Sequence, residues 1–247
     1  MLCYESPRRE GVLLVGDSER LPMIPSGSIA VILTSPAYWV RGRGRDSASR
    51  YSLGLALRHG REWHRVLSRE GDLWLVIGDR HDGREWIGMD GIVTESFRRT
   101  GWRLQTKAFW LEHPSRARWD SRINYLLRFR KKGKRRVPPR ATLCWRLPMP
   151  RSPRGTLWDA TAPRIVRALL ELSRPGPVLD PFFGVGTVAV EARRAGRPWI
   201  GVERDRRQVR VAVRQLDLRR GSRDFGSTEI GALLSSGRVD RGLPAGR

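Results

Sequence analysis

Two short stretches hold the residues best suited to chemistry. The first is TSPAYW, Thr34 to Trp39, which follows the apolar run Ile29 to Leu33. It sets a serine hydroxyl, a proline and two aromatic rings at the polar end of a strand. Read alone, it is a strand end with a proline turn and two packing aromatics. The second is VLDPFFGVGT, Val178 to Thr187. Gly184 and Gly186 permit a tight turn and close approach of the backbone to a ligand. Free N–H groups at the start of the following helix favour a carboxylate or phosphate. The next apolar run ends in GVERD, so Glu203 falls about 20 residues beyond the glycines, where an acid binds ribose hydroxyls. Loop and acid together read as a nucleoside-cofactor site. The third glycine of the dinucleotide fingerprint is missing, which favours another adenosine-bearing cofactor over NAD.

These residues need elements to position them. GVLLVGD, SIAVILTSP, DLWLVIGD, PVLD and PWIGVERD each read as a buried strand with a polar carboxyl end. Between them, helices are expected over EWHRVLSRE up to about Gly71, IVTESFRRTGW with Gly101 as its stop, PRIVRALLELSRPG, VAVEARRAG and the basic RRQVRVAVRQLDLRR. LQTKAFWLE and INYLLRFRKK alternate as a strand pair. Alternating apolar strands and helices imply an α/β domain with a mostly parallel sheet. Ligands in such sheets sit at the carboxyl ends of the strands. Residues 40–60 and 131–155, rich in Arg with Gly, Ser or Pro, read as surface loops. Residues 221–247 lack a periodic apolar pattern and read as a flexible tail.

With these motifs in order, the chain resembles the DNA amino-methyltransferases. TSPAYW is similar to their Ser-Pro-Pro-Tyr motif, and DPFFGVGT to their Asp-Pro-Phe-x-Gly-x-Gly-Thr motif. The catalytic motif comes first and the cofactor motif last, which is the circularly permuted arrangement of the beta group. The resemblance covers roughly residues 11–218. It implies a Rossmann-like class I methyltransferase fold, with a seven-stranded sheet and helices on both faces, and one domain over residues 1–220. It implies S-adenosyl-L-methionine as cofactor, held by Asp17, Thr34, Asp180, Pro181, Phe182, Phe183, Gly184, Gly186, Thr187 and Glu203. It implies Ser35, Pro36 and Tyr38 as the catalytic residues. Serine as the first motif residue points to the exocyclic N4 amino group of cytosine in double-stranded DNA, reached by base flipping. Ala37 replaces the second proline of the motif, and Trp158 or Asp159 stands where the family's histidine precedes Pro163.

The composition agrees with an anionic partner. The formal net charge is +23, and only four of the 48 basic residues are lysine. The residues expected to touch DNA are Trp39, Arg41, Arg43, Arg45, Arg50, Lys131, Lys132, Lys134, Arg135 and Arg136. Cys3 and Cys144 are too few for a disulfide framework or zinc cluster, and neither follows a proline as carbon-5 cytosine methylation requires. His59, His64, His81 and His113 lack partners at metal spacing, and no metal is expected. No apolar run of about 18 residues exists, and no signal peptide is legible, so a cytoplasmic, nucleoid-associated protein is expected. A restriction endonuclease is the expected partner. The alternatives are methylation of adenine N6 in DNA or of RNA, and a relict fold that only binds nucleic acid.

Overall fold

The computed structural model describes residues 2–36, 44–81, 84–112, 123–131, 144–147, 161–221 and 227–236. In chain order the elements are β1 (Cys3–Glu5), β2 (Gly11–Val15), β3 (Ile29–Thr34), α1 (Gly44–Val66), β4 (Leu67–Gly78), β5 (Arg80–His81), β6 (Trp86–Ile87), α2 (Met89–Arg99), β7 (Trp102–Glu112), β8 (Ile123–Lys131) and β9 (Cys144–Leu147). Then follow α3 (Pro163–Glu171), β10 (Val178–Asp180), α4 (Thr187–Arg194), β11 (Trp199–Glu203), α5 (Arg206–Leu216), β12 (Arg219–Arg220) and α6 (Ser227–Ser236).

One sheet dominates, in the order β12-β1-β2-β11-β10-β3-β4-β8-β7-β9. Its central seven strands run from β2 to β7, and only β8 is antiparallel to the rest. Three short strands, β1, β12 and β9, extend the edges of the expected seven. The glycine-loop strand β10 lies in the middle although it comes late in the chain. Its parallel neighbour is β3, which ends in the TSP residues. Helices cover both faces. Residues of α1, α2 and α6 pack on one side around Ile32, Leu73 and Ile200. Residues of α3, α4 and α5 pack on the other around Leu13, Val31 and Val178.

Four expectations are corrected. Residues 44–60 are not a loop but the first part of α1, which buries Ala48, Ser52, Leu55, Ala56, His59, Trp63 and Val66. Those positions follow helical spacing, but small and polar residues fill half of them and dilute the apolar signal. The helix also stops at Val66 rather than near Gly71, and β4 starts at Leu67 beside Ile29. Gly71 suits that bulged edge, since a Cβ there would lie 2.8 Å from the Ala30 carbonyl oxygen. Within 131–155, residues 144–147 form β9 against β7. Finally, part of the tail is the helix α6, which buries Ile230, Leu233 and Leu234 in the core. Their i, i+3, i+4 spacing is one helical stripe, too short to stand out in sequence.

Candidate active site

Parallel pairing of β3 and β10 puts Val31 beside Val178 and Ile32 beside Leu179. The polar ends of the two strands therefore emerge together. There the Thr34 hydroxyl donates to Asp180 Oδ1 at 2.8 Å, and the Phe182 amide donates to the same oxygen at 3.2 Å. Both side chains are buried. Burial pushes the Asp180 carboxyl up to about 7; the two donors pull it down, and the Glu203 charge adds a smaller rise. Ser35 is half-buried and Pro36 buried at this edge. Ala37, Tyr38 and Trp39 lie outside the described residues.

The glycine loop is held from below. Glu203 accepts from the Gly184 amide through Oε2 and from the Asp205 amide through Oε1, both at 2.8 Å. Burial raises its pKa against these donors. Gly186, with φ of 89°, is the N-cap of α4. A Cβ there would lie 2.8 Å from Leu216 and 2.9 Å from Phe183. The Phe183 ring stacks on Trp199, 5.6 Å between centroids, directly under Gly201. Phe183, expected at the cofactor, packs its ring into the core and anchors the loop from behind. Pro181 is buried, and Phe182 and Thr187 are half-buried.

Asp17 leaves the end of β2 beside this loop. It is paired with Arg204 at 3.6 Å and lies 3.9 Å from His59 Nδ1. His59, from the buried face of α1, is 3.1 Å from Ser18 Oγ and 3.8 Å from Glu19. Its ring centroid is 5.2 Å from that of Phe182. Burial lowers its pKa, opposed by Asp17 and Glu19. Sequence reasoning set His59 aside; its place on the helical stripe of α1 was the available signal. Asp17, Glu19 and His59 could also hold a cation, their ligand atoms lying within 4.8 Å of one another, and no ion is present.

The chemistry of this edge suits a nucleoside bearing a cation. A Cβ on Gly16 would meet nothing within 4 Å, and one on Gly184 only the Phe182 carbonyl oxygen at 4.0 Å. Open backbone therefore lies beside the buried Asp180 and the half-buried Glu203. Asp79, at the end of β4, has structural partners: its Oδ1 accepts from the Met89 amide opening α2, and its Oδ2 from the Tyr125 hydroxyl.

The expected DNA contacts fare unevenly. Arg50 is exposed and donates to Ser47 Oγ at 3.4 Å. Arg45 lies in α1; its side chain, and Arg41, Arg43, Lys132, Lys134, Arg135 and Arg136, lie outside the described residues. Lys131 stands apart from Ser35 in the sheet. It ends the reversed strand β8, beside Trp102, and so emerges at the amino edge of the parallel strands, opposite Ser35. The level of Thr34 corresponds to Leu75 and Leu127; Lys131, further along β8, lies about 13 Å away at about 3.3 Å per residue.

Comparison with known proteins adds to this geometry. A family model described as DNA methylase matches residues 160–214, the stretch from α3 through most of α5. The type II methyltransferase M.SmaI of Serratia marcescens is 27% identical over 279 residues, covering 88% of this chain and 94% of that protein. The structure of TTHA0409 of Thermus thermophilus, complexed with S-adenosyl-L-methionine, is 25% identical with a TM-score of 0.65, over 83% of this chain and 93% of that one. The PvuII DNA methyltransferase (cytosine-N4-specific) shares the fold, with a TM-score of 0.70 over 91% of each chain at 16% identity. The motifs, the family model over residues 160–214, the relatives spanning most of the chain and the shared class I methyltransferase fold all point to the DNA methyltransferases.

Proposed function

We propose that the chain transfers a methyl group from S-adenosyl-L-methionine to the exocyclic N4 amino group of cytosine in double-stranded DNA. The observation that carries this is the Thr34–Asp180 hydrogen bond, which fastens the strand bearing Ser35 and Pro36 to the strand bearing the glycine loop. Two chemical halves that lie far apart in sequence meet at one sheet edge. The central place of β10 supports a circularly permuted order. Serine at position 35 and the fold shared with the PvuII enzyme support cytosine N4.

The donor, when bound, supplies an electrophilic methyl group on a sulfonium. Asp180 and Glu203, with the Gly184 and Gly186 backbone, bind it, and Asp17 and His59 close the adenine side. An exocyclic amino group is a poor nucleophile because its lone pair is delocalised into the ring. The Ser35 side-chain oxygen and the Pro36 carbonyl accept its two hydrogens and draw the nitrogen toward a tetrahedral geometry. Proline's fixed φ, about −65°, aims that carbonyl. Tyr38 stacks on the base after it leaves the duplex, where its amino group is otherwise out of reach. Holding both partners in line then supplies much of the rate.

The test is mass spectrometry of nucleosides from genomic DNA incubated with the protein and the donor. N4-methylcytosine is expected; N6-methyladenine would replace the base assignment. Ser35→Ala should abolish transfer while calorimetry shows the donor still bound. Equal loss of both would refute the role given to Ser35. The setting we propose is a cytoplasmic restriction–modification system acting on nucleoid DNA, supported by the type II relatives. Modified DNA should then resist a cognate restriction endonuclease.

A further inference from the structure

The basic helix noted in the sequence, α5, takes no part in the site above. It carries Arg206, Arg207, Arg210 and Arg214 and no acidic residue. At about 100° per residue, these four arginines fall within an arc of about 100°. Gln208, Val209, Ala212 and Leu216 form the buried arc on the opposite side. All four arginines are exposed, and Arg219 and Arg220 continue the exposed basic surface on β12.

The other helices pair several of their arginines with acids, while Arg61, Arg164 and Arg193 are single exposed positions rather than a stripe. Arg58 and Arg65 of α1 meet Glu19 and Glu62, and Arg98 and Arg99 of α2 meet Glu95. Arg167 of α3 and Arg194 of α4 share the buried Glu191. Among the described residues, no acid side chain pairs with an α5 arginine. The arrangement also works against the helix. Arg206 and Arg207 occupy the first turn, where cations oppose the helix dipole. Arg206, Arg210 and Arg214 follow at i, i+4 and i+8, where like charges repel. Within the helix, the Asp205 cap at the first turn and Arg214 in the last turn offset part of this.

We propose that the α5 stripe is a sequence-independent docking surface for the phosphate backbone of the DNA flanking the target. This rests on the DNA substrate proposed above. α5 starts directly after the carboxyl end of β11, so its first arginines stand at the edge where the base enters. The stripe runs from there down the face of the domain for about 12 Å, at 1.5 Å per residue. The occupant is a polyanion by charge, and a second copy of this chain, at a net charge of +23, is a poor match.

The test uses the full chain and a fluorescent 30-base-pair duplex of mixed sequence, titrated by anisotropy across a series of KCl concentrations. Each phosphate contact contributes about 0.9 to the slope of log K against log salt. The triple change Arg206→Gln, Arg210→Gln, Arg214→Gln should therefore lower that slope by about 2–3, with donor affinity and circular dichroism unchanged. The corresponding triple lysine variant should restore it. An unchanged slope in the glutamine variant would overturn the proposal. So would loss of binding to phosphatidylserine-containing vesicles with the duplex slope intact. If the wild-type protein neither binds the duplex nor methylates genomic DNA, the substrate assignment itself fails, which is a separate result.

Discussion

Replacing Asp180 by asparagine should make the cofactor-free protein more stable at alkaline pH while weakening donor binding. Asp180 is buried, and its pKa rises from 3.8 to about 7. Below pH 3.8 the carboxyl is protonated in both the folded and the unfolded chain. Between 3.8 and about 7 the folded state holds a proton that the unfolded state has lost, so stability falls as pH rises through that window. The rise is worth about 4 kcal/mol at 1.36 kcal/mol per pKa unit, and relaxation around the carboxylate reduces the measurable part to about 2–4 kcal/mol. Asparagine keeps an oxygen to accept from Thr34 and Phe182 and carries no charge to bury. Urea denaturation at pH 5 should show the variant ahead by only about a third of the difference at pH 8, since the window opens at 3.8. At pH 8 the variant should be more stable by about 2–4 kcal/mol, raising Tm by several degrees for a chain of this size. Calorimetry at pH 8 should show the donor bound more weakly by the variant. A stability difference that is the same at pH 5 and pH 8 would refute the assignment of a buried, destabilising charge to this position.

Other outcomes follow from the same geometry. Thr34→Val removes the hydroxyl that Asp180 accepts from; at pH 8 it should cost about 1.5–3 kcal/mol, as for a hydrogen bond to a charged group, and Thr34→Ser should recover most of it in the same denaturation assay. Gly201→Ala would set a Cβ 2.0 Å from Phe183 Cδ2, so it should lower stability by about 1–3 kcal/mol and weaken donor binding in calorimetry through the displaced loop. Ile230→Ala should cost about 2–4 kcal/mol in urea denaturation, because Ile230 is fully buried on α6; no change would mean that this helix is dispensable. Ala37→Pro should be tolerated in the methylation assay, and abolished activity would show that the loop geometry differs from that of the family.

How much of this was legible in the sequence depended on where the signal lay. Strands such as Ile29–Leu33 and Leu73–Ile77 are apolar on both faces, and the acid, glycine or serine behind each marks its carboxyl end, so sheet class and site edge could be read directly. The positions of Asp180 and Glu203 followed from that rule. The first turns of α1 were hidden because Ser47, Ser52 and His59 occupy buried positions, where a periodicity count expects apolar residues. α6 was hidden because its stripe amounts to three residues. Lys131 could not be placed for a different reason. Composition marks a basic run, but only the reversed direction of β8 shows that it begins at the far edge. Pairing direction is a long-range property that no local pattern carries. Phe183 likewise sits inside a cofactor motif yet faces Trp199, a choice set by the core behind the loop.

The link between the two halves of the site was also absent from the sequence, because Thr34 and Asp180 are 146 residues apart. Its chemistry shows what the fold is arranged to do. A hydroxyl and an amide converge on one buried carboxylate oxygen, and two amides converge on the neighbouring Glu203. Burying Asp180 and half-burying Glu203 costs stability, and the loss of water raises the pKa of both against those donors. A fold selected for stability alone would place apolar side chains at these positions. The carboxylates are instead fixed beside open backbone, in register with Ser35 and Pro36. In the proposed mechanism, donor binding and amino-group activation are tied to one pair of adjacent strands, so a disturbance of either strand end should be felt in both steps.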